Sequence, residues 1–249
     1  MVKNILSKAE TKWITGLRDK KNRDQSGVYI VEGFKMVDEL VRDKIIGIAK
    51  IFGLKELLKN LGLQNAGHFE LIEVNAADMQ RISGLKNPSG ILAVVSIPDL
   101  PAPEFRKGNW LLALDDIQDP GNVGTIIRLA DWFGINTILA SEGTADCYNP
   151  KTVQAAMGSV FRVNVHNKNW QALIPGCGLP VYSADMDGEN ALDAAGKIEP
   201  GILVIGNEGH GIGEFWRPYI SRRLTIPRKG KAESLNAGVA TGILLSHLV

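Results

Sequence analysis

The sequence predicts an α/β protein of two domains, the larger built on a parallel sheet. Three observations carry this reading. Strand-like apolar runs alternate with helix-periodic segments along the chain, the pattern of repeated βα units. Runs such as Trp110–Leu114 and Gly201–Ile205 are continuously apolar, as strands covered on both faces of a parallel sheet require. Between the halves, Pro98-Asp99-Leu100-Pro101-Ala102-Pro103 places three prolines in six residues, a stiff extended link. The expected organisation is a small α/β domain over 1–97, a linker over 98–108 and a second domain over 109–249.

Composition sets limits on function. At 249 residues, 45% hydrophobic and 22% charged, the chain can bury a core and has the balance of an ordinary globular protein. No run of eighteen apolar residues could span a bilayer, and no N-terminal stretch has the form of a secretory signal. Cys147 and Cys177 are too few for a disulfide framework and lack metal-ligand spacing, so no metal is expected and a reducing cytoplasm is. The net charge of +1 does not by itself point to nucleic acid. Its distribution says more. Residues 1–97 hold 15 basic and 11 acidic groups, leaving 13 and 16 for the remainder. Lys3, Lys8, Lys12, Arg18, Lys20, Lys21 and Arg23 crowd the first 23 residues against Glu10 and Asp19. Such an arm suits phosphates, and it equally suits the solvated face of an amphipathic helix.

In the first domain, Ser7–Leu17 reads as a helix and Arg18–Gln25 as a basic, polar turn. Gly27–Gly33 is a strand closed by glycine, followed by helix Phe34–Val41 with Phe34, Val37, Leu40 and Val41 at helical spacing. Strand Ile45–Phe52, helix Leu54–Asn60, strand Phe69–Val74, helix Ala76–Ile82 and strand Ile91–Ile97 complete it.

The second domain opens with strand Trp110–Leu114. The loop Asp115–Gly124 then leads into helix Thr125–Phe133. This strand–glycine loop–helix form suits a ligand, but it is neither G-x-G-x-x-G nor a P-loop. Arg128 stands out in an apolar helix. It can pair with Asp131 at i+3, or it can face a ligand in the loop. Strand Ile135–Ala140, helix Lys151–Met157, strand Val160–Val165, a helix near Trp170–Leu173, strand Pro180–Ala184 and a polar loop with Gly188 follow. Strand Gly201–Ile205 runs into Gly206-Asn207-Glu208-Gly209-His210-Gly211-Ile212-Gly213. Four glycines in eight residues expose main-chain groups, and Glu208 among them disfavours a phosphate. A cationic ligand, or one rich in hydroxyl and amine donors, fits better. Strand Leu224–Ile226 ends at Pro227, and the polar loop Arg228–Glu233 precedes a final helix capped by Ser234 or Asn236. That helix is almost wholly apolar, so it is expected to be buried. Gly238 and Gly242 each cost about 1 kcal/mol relative to Ala. Four residues apart, they form one face open to close approach of another backbone.

Read together, Asp115–Arg128 (DDIQDPGNVGTIIR), Leu203–Gly211 (LVIGNEGHG) and Ile226–Gly242 (IPRKGKAESLNAGVATG) resemble the three motifs of the SpoU/TrmH family. This is a branch of the SPOUT methyltransferases that methylate RNA on a ribose 2′-oxygen. Val31-Glu32-Gly33 and Leu85–Val94 (LKNPSGILAV) also resemble the accessory RNA-binding domain of some members. From the residues alone the second domain would be a Rossmann-like sheet. The resemblance implies instead a deep trefoil knot, with the last helix threaded through an earlier loop. It also implies homodimers joined through the knot region, each site completed by the second subunit.

The cofactor implied is S-adenosylmethionine, held by main-chain groups around Leu203, Ile205, Gly206, Gly209, Gly211, Ile226, Pro227, Leu235 and Ala240. Catalytic roles carry over to Asn122, Arg128, Glu208, Ser234 and Asn236. An arginine stays protonated and is a poor base. Arg128 is therefore expected to orient the ribose and its phosphate and to stabilise the developing alkoxide. Glu208 would accept a hydrogen bond from the ribose or from Arg128. Ser234 and Asn236 would contact Arg128 and substrate hydroxyls. Lys12, Lys20, Lys21 and Arg23 are the expected RNA-facing groups of the first domain. Arg228 and Lys229 stand where many members carry small residues, and they join the RNA-facing set. The accessory domain favours ribosomal over transfer RNA. Two other classes fit parts of the chain, an RNA-binding assembly factor without activity and a nicotinamide-dependent dehydrogenase. The missing dinucleotide fingerprint disfavours the second.

Overall fold

The computed structural model describes residues 2–3, 6–43, 47–61 and 69–249. The chain folds into two compact units, Met1–Asp99 with Tyr148–Gly158, and Leu100–Cys147 with Ser159–Val249. Among the described residues, no helix is long and apolar enough to cross a membrane.

The first unit contains β1 (Val2–Lys3), α1 (Lys8–Gly16), α2 (Lys20–Ser26), β2 (Val28–Glu32), α3 (Phe34–Arg42), β3 (Ile48–Gly53), α4 (Lys55–Asn60), β4 (Glu70–Glu73), α5 (Ala76–Ile82) and β5 (Ile91–Ser96). Ile45 and Ile46, expected in the third strand, lie outside the described residues. The described strands form a mixed sheet in the order β1-β4-β3-β5-β2. A core of Ile14, Leu17, Ile30, Phe52, Ile72, Met79 and Leu92 joins α1 and α5 to this sheet. Ser7 caps α1 in a reciprocal box, its hydroxyl accepting from the Glu10 amide while Glu10 accepts from the Ser7 amide, both at 3.1 Å. Lys50 then bridges Glu10 at 3.0 Å and Glu70 at 2.9 Å.

The expected turn over Arg18–Gln25 is instead the helix α2, closed by Gly27 in the left-handed region (φ 65°). Its sequence has no apolar stripe, so hydrophobic periodicity gave no signal. Glu32, singled out by its motif, is buried in β2. Its carboxylate accepts from Ser83 Oγ at 2.5 Å, the Gly84 amide at 3.0 Å and the Ser89 amide at 3.4 Å. One buried charge thus ties down the Ser83–Ser89 segment, which gives that motif a structural reason.

The first unit also takes in α7 (Pro150–Ala156), which follows three elements of the second. The second unit contains β6 (Leu111–Asp115), α6 (Pro120–Trp132), β7 (Thr137–Ala140), β8 (Asn164–His166), β9 (Val181–Asn190), α8 (Ala191–Ala194), β10 (Ile202–Gly206), β11 (Ile220–Thr225) and α9 (Ala237–Leu248). The described strands pair in parallel in the order β11-β9-β10-β6-β7-β8. The four residues Leu111–Leu114 of β6 and Ile202–Ile205 of β10 are buried throughout, as central parallel strands must be.

Several local expectations change. α6 begins at Pro120, five residues before Thr125, because Asp119 is its N-cap and proline fits the first helical position. The polar segment with Gly188 is not a loop but the second half of β9. A Cβ on Gly188 would collide with the Arg223 carbonyl oxygen, so glycine lets the two strands close. Val160–Val165 is a 3-10 turn (Met157–Phe161) followed by the short β8, and the helix near Trp170 is a 3-10 segment, Gln171–Gly176. The last strand starts four residues earlier than Leu224. α9 is capped by Asn236, whose Oδ1 accepts from the amides of Gly238 at 3.0 Å and Val239 at 3.2 Å. The glycine face of α9 packs on α6. A Cβ on Gly238 would lie 2.9 Å from Thr125 Cγ2, and one on Gly242 3.4 Å from Leu129 Cδ2.

Candidate active site

Three segments meet beyond the carboxyl ends of β6, β10 and β11, where open parallel sheets bind ligands. They are the start of α6, the glycine loop after β10 and the loop before α9. An open cleft of about 1590 Å³ runs along the last two, from Ile205–Ile212 to Leu224–Leu235, with Ala237, Ala240 and Leu244 of α9 behind. Ile205, Ile226, Leu235 and Leu244 give it apolar wall, and Glu208 and Ser234 give it polar groups.

The glycine loop is stitched to the end of β6. Asn207 Nδ2 donates to the Asp116 carbonyl at 2.8 Å, while Asn207 Oδ1 accepts the Gly209 amide at 2.7 Å. Asp115 Oδ2 accepts the Gly213 amide at 2.6 Å. Asn207 and Gly211 exchange main-chain hydrogen bonds at 3.0 and 2.9 Å, turning the loop back on itself. Gly206 has no room for a side chain, since a Cβ would lie 2.5 Å from the Gly211 carbonyl carbon and 2.6 Å from its oxygen. Asp116 holds the left-handed conformation (φ 61°), its amide donating to Ser141 Oγ at 2.8 Å. Sequence reasoning missed Asn207, Asp115 and Asp116. The signal was a short polar side chain inside a glycine run, where asparagine organises its own turn.

The catalytic candidates divide. Asn236 Nδ2 donates to Asn122 Oδ1 at 2.7 Å, and Asn122 Nδ2 donates to Glu208 Oε1. One residue from each motif thus enters a single relay. The start of α6 brings Asn122 there, because its amide is fixed by Asp119 Oδ1 at 2.8 Å. Ser234 lines the same cleft without entering the relay. Arg128, two turns along α6, is exposed and engages neither Glu208 nor Ser234 nor Asn236. It does not pair with Asp131 either, whose carboxylate is taken by Ser159 and Arg162.

Of the expected cofactor contacts, Ile205, Gly206, Gly209, Gly211, Ile226, Pro227, Leu235 and Ala240 line the cleft. Leu203 does not. It is fully buried in the middle of β10, out of reach of a ligand at the strand's end. Arg228 and Lys229 stand on the cleft wall. Lys12, Lys20 and Lys21 are exposed, as an RNA-facing role needs. Arg23 corrects that expectation. It is 1% exposed, and its Nη1 donates to the carbonyls of Leu17 and Arg18 at 2.8 Å each, so it closes the end of α1 and faces no ligand. Among the described residues no group of three or more His, Cys, Asp or Glu is placed to hold a metal ion.

Solved structures share this fold over nearly the whole chain. An AdoMet-bound rRNA methyltransferase from Sinorhizobium meliloti superposes with a TM-score of 0.85 at 29% identity, covering 99% of this chain and 97% of the other. A protein assigned to the TrmH family of RNA methyltransferases, from Porphyromonas gingivalis, gives 0.84 at 36% identity, with 98% of each chain covered. Fold and cleft therefore define an enzyme of the SPOUT methyltransferase class. The family model of the SpoU rRNA methylases matches residues 109–246, and the chain belongs to that family. A second model, of the MRM3-like substrate binding domain, matches residues 8–93. The 23S rRNA (guanosine(2553)-2′-O)-methyltransferase RlmP of Bacillus subtilis is 30% identical over 235 residues, 93% of this chain and 92% of that protein.

Proposed function

We propose that this chain transfers a methyl group from S-adenosylmethionine to the 2′-hydroxyl of a ribose in ribosomal RNA. The relay Asn236–Asn122–Glu208, which ends on a carboxylate lining a cleft where position 206 has room only for glycine, carries this reading. S-adenosylmethionine supplies a methyl already activated on a sulfonium. The cleft fits such a ligand, with apolar wall for its adenine and methionine parts and exposed main-chain groups for its polar atoms. Glu208, committed to Asn122 through one oxygen, keeps the other to accept from a ribose hydroxyl. The protein mainly aligns the attacking oxygen with the methyl carbon. As the C–O bond forms the C–S bond breaks, and the hydroxyl proton leaves to phosphate or water.

Arg128 is assigned the charge of the developing alkoxide and the neighbouring phosphate. It lies on the outer side of α6 with Trp132, which is 84% exposed, and α9 beside it carries Val239 at 52%. We assign this apolar face to a homodimer contact through a trefoil knot, with a second copy placing Arg128 over the cleft. Residues 1–97 serve as the accessory RNA-binding domain, joined by the linker 98–108 to the methyltransferase domain 109–249. Lys12, Lys20 and Lys21 serve RNA phosphates there, and Arg228 and Lys229 do so at the cleft. Ribosomal RNA is favoured because the relative RlmP acts on 23S rRNA. Two cysteines outside any disulfide fit a cytoplasmic location.

Calorimetric titration with S-adenosylmethionine, its demethylated product and NAD tests the reading. Micromolar binding of the first two alone is expected. Binding of NAD alone overturns it. Arg128→Ala should abolish transfer and leave cofactor affinity nearly unchanged. Full activity in that variant removes Arg128 from the site.

A further inference from the structure

Arg128 and Asp131 lie three residues apart on α6, the spacing at which opposite charges on a helix pair. The pair does not form. Ser159 Oγ donates to Asp131 Oδ2 at 2.7 Å, and Arg162 Nη2 donates to the same oxygen at 2.8 Å. Arg162 Nε reaches both carboxylate oxygens, at 3.0 and 3.2 Å. This fork is the strong geometry for a guanidinium and a carboxylate. The Arg162 hydrogen bond holds the Asp131 carboxyl below the usual aspartate range, with Ser159 assisting and partial burial opposing. Arg128, in contrast, is exposed and has no hydrogen bond or ion pair among the described residues.

We infer that Arg162 and Ser159 are positioning residues for methyl transfer, holding Asp131 so that the Arg128 guanidinium stays free for the substrate. This rests on the reading of Arg128 given above. Arg162 and Ser159 touch no reacting atom in this scheme. They act by occupying the one carboxylate that the helix sets within reach of Arg128. Once released, Asp131 would draw the guanidinium along the helix surface, and a substrate phosphate would have to displace it.

The test uses the full chain, tritiated S-adenosylmethionine and bulk RNA from cells lacking the protein. Arg162→Ala is expected to lower kcat/KM for RNA about tenfold, equivalent to ~1.4 kcal/mol, with cofactor affinity unchanged. Adding Asp131→Asn to that variant is expected to restore kcat/KM to within about twofold of Asp131→Asn alone, because the competing charge is gone. A purely structural role predicts the reverse, since the double variant still lacks the Arg162 side chain. If Arg162→Ala fails to fold, Ser159→Ala loosens the same hold, with a fall of about threefold that Asp131→Asn also reverses. Wild-type activity in the single variant, or a loss that Asp131→Asn does not recover, overturns the inference. Arg128→Ala measured alongside separates the two claims. Retained activity there removes the role of Arg128. Loss of activity in Arg128→Ala, together with a loss in Arg162→Ala that Asp131→Asn does not recover, removes only the positioning role.

Discussion

Asn236 donates from Nδ2 to Asn122 Oδ1 at 2.7 Å, joining residues 114 positions apart. The direction of that bond is fixed by the helix cap. Asn236 Oδ1 is occupied by the amides of Gly238 and Val239, so only its NH₂ can face Asn122. Asn122 must then receive on its oxygen and donate to Glu208. A helix terminus thus sets the orientation of the acidic group in the cleft.

Breaking the middle of that relay should cost activity more than stability. Asn122→Ala is expected to lower kcat about a hundredfold, the scale of losing one positioned polar group in a site. Its melting temperature should stay within a few degrees, because the side chain is not buried. Asn122→Asp should be at least as harmful, since it sets a second carboxylate against Glu208. Steady-state methyl transfer and a thermal melt on the same preparations check both statements.

Gly206 is the sharpest test of the cleft floor. Alanine there sets a Cβ 2.5 Å from a backbone carbon that cannot move without opening the Asn207–Gly211 turn. Gly206→Ala is expected to cost about 1–3 kcal/mol of stability and to abolish cofactor binding. Gly230→Ala is the control, because a Cβ there meets nothing within 4 Å. Denaturant titration and calorimetry with S-adenosylmethionine read the two effects.

The basic N-terminal segment separates into two behaviours. Arg23→Ala leaves two carbonyls without their donor, which costs about 1–3 kcal/mol for each buried group orphaned. Lys20→Ala with Lys21→Ala should leave the melt unchanged. The salt dependence of RNA binding should flatten by about one unit of slope for each phosphate no longer neutralised. A salt series by filter binding distinguishes the two behaviours.

Glu10 should contribute to acid stability. The Ser7 amide hydrogen bond, then Lys50, hold its carboxyl at about 2, against the cost of burial. A carboxyl depressed in the folded state stabilises above its ordinary range and loses that contribution as pH falls towards the folded value. Glu10→Gln should therefore be less stable than wild type at neutral pH, by about 1 kcal/mol after allowance for solvent screening. The difference should shrink between about pH 4.5 and pH 2. Urea midpoints at a series of pH values measure it.

Local pattern along the chain set the alternation of elements, the buried strands β6 and β10 and the glycine run after β10, while Asn122, Glu208 and Asn236 stood out through the resemblance of three stretches to the SpoU/TrmH motifs. The elements were legible because periodicity reports local burial, and the glycine run because glycine marks close backbone approach, whereas the three motif residues needed the family likeness. Tertiary structure alone decided partners. Arg23 and Lys20 read alike as basic residues of one segment, yet one closes a helix end from inside and the other stands in solvent. Asp131 looked like the natural mate of Arg128, but Ser159 and Arg162 arrive from about 30 residues away and take it. A charge pairs with whatever the fold brings within about 3 Å, and that depends on strand order and packing, which one-dimensional spacing does not contain.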